Sequence, residues 1–384
     1  MKKGPAAGVP AGKALNYSRS GPLRAIPVLE NKPRPAAYAG GLAAATLGGA
    51  LCAWIGTPLP WMIGAMLGMA LAQMAGARFE PVPYGREAGF VIVGITLGLY
   101  FTAPVVAEVS SHWPWFVLLG LAATGFGMAS ALVLARLSGV SRATAYFGSV
   151  PGGASDMVVL GERFGAAPDR VAFAHSLRML LVVTAFPIGI TYAGFASNQE
   201  YVPVAVAFDA GGLALLVAVG IAASLLARRL GAPTAFMMGP LVATIALTVG
   251  GVTLSSMPTL LVNAAQVLLG CMLGARFDRE FLRAAPRFVA AVMVSVTVTL
   301  VLAALVGWLI ALGSGAYAGS ALLAAAPGGI AEMSITAKVL RIGVAYVTAA
   351  HVVRYMIVVL LTIPVFRLIS RVRPAAPISS SDPP

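Results

Sequence analysis

One short stretch occurs twice in this sequence and decides how the chain folds. The first copy reads Pro151-Gly152-Gly153-Ala154-Ser155-Asp156-Met157, and His175-Ser176-Leu177-Arg178 follows it. The second copy reads Pro327-Gly328-Gly329-Ile330-Ala331-Glu332-Met333, and His351-Val352-Val353-Arg354 follows that. The offset between the copies, 327 minus 151, is 176 at every matched position. A constant offset over this distance indicates the internal duplication of a whole structural unit.

The composition places the chain in a membrane. Of its 384 residues, 59% are hydrophobic and only 10% are charged, whereas soluble domains carry about 25% charged residues. The net charge of +13 raises nucleic acid as a partner, but the basic residues gather at the chain ends and in short loops, as the positive-inside rule requires. The expected partner is therefore the lipid bilayer and not nucleic acid.

The charge pattern also divides the chain into regions. Residues 1–37 hold seven lysines and arginines against one acid and contain no apolar run, which predicts a disordered basic cytoplasmic arm rather than a signal peptide. We expect membrane repeat 1 over 38–194 and membrane repeat 2 over 209–370. A disordered tail is expected over 371–384.

The topology follows from where each charged loop would lie. Only eight residues separate Arg142 from Pro151, too few to cross a bilayer core that needs about 20. If each Pro-Gly-Gly segment crossed fully, Arg228-Arg229 and the basic loop after Ala275 would lie outside, against the positive-inside rule. The sequence therefore predicts an all-α polytopic membrane protein with about ten transmembrane helices plus two re-entrant broken-helix hairpins. Its two repeats have inverted topology, and both termini lie on the cytoplasmic side of the membrane.

Each Pro-Gly-Gly motif is expected to break a helix. Proline removes a hydrogen-bond donor, and glycine tolerates backbone angles that other residues do not. The helix that restarts after Gly153 or Gly329 presents free N–H groups, which can bind an anion. Paired broken helices of this kind form the midplane binding sites of secondary transporters. The alternative is a helix kink that serves packing alone.

The acidic residues of the two copies have two interpretations. Asp156 and Glu332 lie in the first turn after each break, where a carboxylate stabilises the positive end of the helix. Intramembrane acids also carry coupling ions or protons, and the residues leave both roles open. Ser155 has no hydroxyl counterpart, because its mate is Ala331.

The histidines and arginines of the two copies lie on one helix face, since each pair is spaced i, i+3. An arginine in an apolar span is costly unless it is paired or solvated. One interpretation is a structural ion pair with Asp156 or Glu332, and the other is a clamp for a carboxylate or similar anion. The candidate substrate-binding residues are Gly152, Gly153, Ser155, Asp156, His175, Arg178, Gly328, Gly329, Glu332, His351 and Arg354.

The motifs also resemble a known family. The two Pro-Gly-Gly-x-x-Asp/Glu-Met copies with His-x-x-Arg, the Gly94-x-x-x-Gly98 span and the Pro58-x-x-Trp61-Met62-x-Gly64 span are similar to the AbrB-type duplicated membrane proteins of Gram-negative bacteria. The resemblance covers roughly residues 38–370. It implies a multi-pass inner-membrane protein linked to regulation of gene expression, and a distant similarity to inverted-repeat secondary transporters. The small soluble DNA-binding protein of the same name is not similar, and the family supplies no catalytic site.

Two function classes remain after two others are excluded. The family's ammonia monooxygenase label fails because the chain has three histidines and two cysteines in all, whereas copper or iron sites need clustered ligands. Direct DNA binding fails because no soluble domain remains outside the spans. We therefore expect no enzyme, no cofactor and no metal. The first hypothesis is a secondary transporter of a small anionic or zwitterionic solute with H⁺ or Na⁺, and the alternative is a membrane-embedded sensor or regulator of gene expression. The small cytoplasmic surface favours transport, and a homo-oligomer stays open.

Overall fold

The computed structural model describes residues 35–195, 207–277, 279, 283 and 285–371, with the backbone alone for Ser155 and Arg371. Residues 1–34 of the expected arm and 372–384 of the expected tail lie outside these ranges. Fifteen helices have their bounds within the described residues, which contain no β-strand. In chain order they are α1 (Pro35–Ile55), α2 (Pro60–Met74), α3 (Gly85–Gly98), α4 (Ala103–Ser111), α5 (Trp113–Ser138), α6 (Arg142–Ser149), α7 (Ala154–Arg163), α8 (Pro168–Tyr192), α9 (Ala210–Arg229), α10 (Ala235–Val249), α11 (Thr259–Gly274), α12 (Pro286–Ser314), α13 (Ala318–Ala325), α14 (Ile330–Leu340) and α15 (Val344–Arg371).

Matched helices of the two halves end in the same way. Gly139 after α5 and Gly315 after α12 are 176 positions apart and have φ of 69° and 70°. This left-handed conformation ends a helix and favours glycine, which has no Cβ to clash. Both helices also have a proline in their first turn, where the missing N–H costs no hydrogen bond.

The chain is a multi-pass membrane protein. Six helices of the described part of the chain, namely α1, α5, α8, α9, α12 and α15, are long and apolar enough to cross a bilayer. The pair α3–α4 makes a seventh span if its two helices count as one, although they are bent by 91°. The structure thus confirms the predicted all-α membrane fold.

Three further apolar helices are shorter than a full span. Helices α2, α10 and α11 have 15, 15 and 16 residues, which is about 22–24 Å at 1.5 Å per residue. The hydrocarbon core is about 30 Å thick. These helices occupy places where the sequence predicts complete crossings, so the number of ten spans stays a prediction.

The short helices pack in a reciprocal pattern between the halves. Helix α3 of the first half lies against α10 of the second, and α11 lies against α2. A Cβ on Gly94 would be 2.7 Å from the Met237 oxygen, and a Cβ on Gly270 would be 2.6 Å from the Met62 oxygen. The small residues at four-residue spacing therefore do allow backbones to approach closely. Reciprocal contacts of this kind are what a two-fold relation produces.

Both Pro-Gly-Gly segments turn back to the end at which they begin. In the first, the Thr144 hydroxyl near the start of α6 accepts a hydrogen bond of 2.9 Å from the Ala167 N–H, just beyond α7. In the second, the matching residues are neighbours, since a Cβ on Gly343 would be 2.7 Å from the Ser320 hydroxyl oxygen. The pairs α6–α7 and α13–α14 are therefore broken-helix hairpins.

Helix α5 shows that the two hairpins enter from opposite ends of the molecule. It is 26 residues long, or about 39 Å, and the first hairpin begins directly after its C-terminal end. The second hairpin leads into Tyr346, whose ring contacts His112 and Phe116 at the N-terminal end of α5, with centroid distances of 5.3 and 4.9 Å. The tips of the hairpins consequently point towards each other.

Candidate functional site

The two Pro-Gly-Gly motifs line one cavity of about 110 Å³, which we call the central cavity. Both hairpin tips contribute to its wall, together with side chains from α3, α8, α14 and α15 and from the end of α11. Seven of the eleven candidate residues lie there. These are Gly152, Gly153, Arg178, Gly328, Gly329, Glu332 and Arg354.

The prolines produce the breaks by acting on the residue before them. Val150 has φ −61° and ψ 129°, and its mate Ala326 has φ −55° and ψ 133°. Such extended angles are expected before proline, because its ring clashes with a helical neighbour. Both short helices α6 and α13 therefore end before the proline, and a new helix begins three residues after each proline.

The motif glycines are needed for space rather than for unusual backbone angles. None of the four motif glycines has a positive φ. The expectation that glycine is needed for special backbone angles at the breaks is therefore wrong. A Cβ on Gly152 would be 2.7 Å from the Met157 Cε, and a Cβ on Gly328 would be 2.7 Å from the Met333 Cγ. The methionine that ends each motif folds back onto its glycine.

Both motif arginines bind the broken backbone. Arg178, which is 4% exposed, donates from Nη1 to the carbonyl oxygens of Ser149 and Val150, each at 3.2 Å. Arg354, which is 2% exposed, donates to the carbonyl oxygens of Ala326 and Gly328. Each guanidinium thus satisfies carbonyls at the C-terminal end of a short helix, where a positive charge is favourable.

These contacts bear on the first interpretation of the arginines, a structural ion pair. Their described hydrogen bonds go to carbonyl oxygens and, for Arg178, to an imidazole, so the expected structural ion pair with Asp156 or Glu332 is not observed. Each arginine lines the central cavity and has a buried Nε without a hydrogen-bond partner. A donor in this state remains available for an anion, so the clamp stays a prediction.

The histidines lie behind the arginines and do not line the central cavity. His175 and His351 are fully buried, and their Nε2 atoms lie 2.8 Å from the Phe147 carbonyl oxygen and 3.1 Å from that of Leu323. Since a carbonyl can only accept, each Nε2 carries the proton. The free Nδ1 of His175 then accepts from Arg178 at 2.8 Å. In this structure the histidines position the backbone and an arginine.

The two acids have different surroundings. The Tyr355 hydroxyl donates to Asp156 at 2.6 Å. Asp156 lines an adjoining cavity of about 270 Å³, the side cavity, which shares Gly153 with the central one. Glu332 is 6% exposed and lines the central cavity itself.

The acids have different neighbours because two equivalent positions of the repeats hold different residues. Tyr355 and Met179 are 176 positions apart, and they approach Gly153 and Gly329 respectively. A Cβ on Gly329 would lie 3.2 Å from the Met179 Cε, and a Cβ on Gly153 would lie 3.3 Å from the Tyr355 hydroxyl oxygen. Glu332 therefore has a thioether where Asp156 has a hydroxyl donor. The side chain of Ser155 lies outside the described atoms.

Two arginines of the central cavity were not among the candidates. Arg86 lies in the first turn of α3, and Arg276 follows the end of α11. The four-residue spacing of Arg86, Phe90, Gly94 and Gly98 could have placed Arg86 on the packed face of α3. Arg86 lies 5.1 Å from the Phe90 ring centroid and has a buried Nε without a partner.

The fold and the site together define a class: α-helical, multi-pass membrane proteins in which two broken-helix hairpins meet at a basic cavity. The chain belongs to the family described as "Transition state regulatory protein AbrB", whose family model matches residues 61–370. The resemblance inferred from the motifs is thus confirmed.

Two curated proteins are similar over most of their length. "Uncharacterized protein YhjN" of Bacillus subtilis (strain 168) is 25% identical over 352 residues, which cover 85% of this chain and 92% of that protein. "Putative regulator AbrB" of Escherichia coli (strain K12) is 25% identical over 328 residues, which cover 83% of this chain and 92% of that protein.

Proposed function

We propose that this protein is a secondary transporter of a small anionic or zwitterionic solute, with the central cavity as its binding site. One observation carries the proposal: two broken helices that enter from opposite ends of α5 meet at a single basic cavity. Non-helical backbone at membrane depth persists only where it is buried in protein or lines a cavity. Secondary transporters build their midplane sites in this way.

The reciprocal packing of the halves supports this function. Alternating access requires two parts that rock around a fixed site, and inverted repeats supply such parts. The contacts of α3 with α10 and of α2 with α11 fit repeats related by a two-fold axis. In the proposed orientation the axis lies in the plane of the inner membrane, and both termini are cytoplasmic.

Asp156 and Glu332 are the groups we propose for the coupling ion, H⁺ or Na⁺. Both are close to the motif glycines, and intramembrane carboxyl groups serve as proton or ion carriers in pumps and transporters. The proposal includes no chemical conversion of the solute. A homo-oligomeric state is compatible with it.

Uptake by proteoliposomes tests the proposal directly. Purified full-length protein is reconstituted with an imposed proton or sodium gradient, and uptake is followed for radiolabelled organic acids and amino acids. We expect gradient-driven uptake of an anionic or zwitterionic solute. The uptake should fall at least tenfold in Arg354→Gln and Asp156→Asn but remain in Arg136→Gln, a matched charge change at an exposed position. Solute binding without gradient-driven uptake would falsify the transport proposal.

A second candidate function is a membrane-embedded sensor that regulates gene expression. The observation that favours it is the description of the family as regulatory and the regulator name of the Escherichia coli relative. A sensor shares the binding site but moves no solute across the bilayer. Transcript levels in a deletion strain complemented with the uptake-deficient Asp156→Asn variant separate the two: a sensor restores expression without uptake.

A further inference from the structure

The duplicated unit contributes no net charge to the site. Each copy supplies one arginine and one acid, Arg178 with Asp156 and Arg354 with Glu332. All four residues lie at the central cavity or at the adjoining side cavity. The positive charge of the site must therefore come from residues that are not repeated in the other half.

Arg86 and Arg276 supply that charge, and neither has a basic mate in the other half. The residue 176 positions after Arg86 is Val262, and the residue 176 positions before Arg276 is Tyr100. Both arginines line the central cavity, and Arg276 interacts electrostatically with Arg86 and Glu332. When Asp156 and Glu332 are both ionised, these two carboxylates and the four arginines among the described residues of the site sum to a net charge of +2. Glu87 and Arg228 of the side cavity cancel each other.

From this balance we infer that the ligand is a small dianion whose two negative charges are matched by Arg86 and Arg276. The inference rests on the proposed binding of a solute in the central cavity. Placing unbalanced charge in a site of low dielectric is costly, and a dianion neutralises the site where a monoanion leaves one positive charge. The starts of α7 and α14 add backbone N–H groups, and the buried Nε atoms of Arg178 and Arg354 add unpartnered donors.

The volume of the central cavity limits the size of this dianion. It measures about 110 Å³. Drug-sized ligands occupy pockets of about 300–1,000 Å³. A short dicarboxylate, hydrogen phosphate or sulfate has the required charge in a small volume.

The experiment compares ligands of equal carbon number and different charge. Dissociation constants of malonate and propionate are measured by titration calorimetry with the full-length protein in detergent at neutral pH and constant ionic strength. Inorganic phosphate and sulfate form separate arms that distinguish an inorganic dianion from a dicarboxylate. We expect at least one of the three dianions to bind ten or more times tighter than propionate.

Variants of Arg86 and Arg276 then test whether these two arginines cause the preference for a dianion over propionate. Arg86→Gln and Arg276→Gln should each weaken dianion binding by about ten- to hundredfold, the range for a charge-assisted hydrogen bond, and change propionate binding by less than about threefold. Arg136→Gln should leave both constants unchanged. Arg86→Lys keeps the charge and should recover part of the preference, so a fold defect in the glutamine variant is recognisable.

The outcomes separate this inference from the transport proposal. Equal affinity for propionate and every dianion overturns the inference, as does a glutamine variant that weakens both ligand types by the same factor, or a failure of all three dianions to bind. Uptake of propionate without preference for a dianion overturns it while transport stands. A dianion that binds through Arg86 and Arg276 but is not taken up leaves the inference intact and overturns transport.

Discussion

Replacing Gly270 by alanine tests the close contact between the two halves. A Cβ at this position of α11 would be 2.6 Å from the Met62 carbonyl oxygen and 2.9 Å from the Ala65 Cβ of α2. Ordinary contacts begin at about 3.4 Å, so the oxygen contact is about 0.8 Å too short. A carbonyl oxygen within a helix does not rotate away, and relief requires a shift of the whole of α2.

The magnitude follows from two opposing effects. Overpacking of a well-packed interior costs typically about 1–3 kcal/mol, whereas alanine is about 0.8–1.0 kcal/mol better than glycine within a helix. Gly125 of α5 is the matched control, because a Cβ there would meet nothing within 4 Å. Gly125→Ala should therefore show only the stabilisation that comes from the higher helix propensity of alanine. The free energy of unfolding of Gly270→Ala should consequently lie about 1–3 kcal/mol below that of Gly125→Ala.

The assay is denaturant unfolding of wild type and both variants in one detergent, followed by tryptophan fluorescence. We expect Gly125→Ala to be at least as stable as wild type and Gly270→Ala to be the least stable of the three. If Gly270→Ala unfolds at the same denaturant concentration as Gly125→Ala, the proposed approach of α11 to α2 is refuted, and with it the reciprocal packing.

Three other expectations follow from the same geometry. Gly94→Ala should lose stability like Gly270→Ala, since it opposes a carbonyl of α10 at 2.7 Å, and a neutral result in the same unfolding assay would show that the halves are not equivalent. A double-mutant cycle of Tyr355→Phe and Asp156→Ala, read as free energies of unfolding, should give a coupling energy of about 1.5–3 kcal/mol for the 2.6 Å hydrogen bond to a carboxylate; a coupling near zero contradicts that bond. Reporter fusions after Gly165 and after Arg341 should report opposite sides of the membrane, with Gly165 cytoplasmic. Activity on the same side would rule out hairpins that enter from opposite faces.

Local features of the site were predictable because short-range sterics produce them. Proline acts on its immediate neighbour, so the sequence predicted both breaks and a helix that restarts after Gly153, where the observed α7 begins at Ala154. The bend between α3 and α4 was not predicted. A proline in the first turn of α4 starts this new helix.

The roles of the motif side chains could not be predicted from their spacing. An i, i+3 spacing places His175 and Arg178 on one face, but it does not say whether that face meets a carboxylate, a carbonyl or a ligand. The partners are main-chain atoms 28 and 29 residues away. Hydrogen-bond partners from other elements depend on how helices pack, and a single sequence carries little information about that.

The sequence by itself determined the membrane class, the internal repeat, the family resemblance and the position of both breaks. Composition, periodicity and proline sterics are properties of the chain before it packs. Only the tertiary structure decided that the two tips share one cavity and that Arg178 and Arg354 bind the ends of broken helices. It also decided that Arg86 and Arg276, which have no basic counterpart in the other half, line that cavity. The net charge of the site is a sum over residues that six different helices or their ends bring together, so it exists only once those helices have packed.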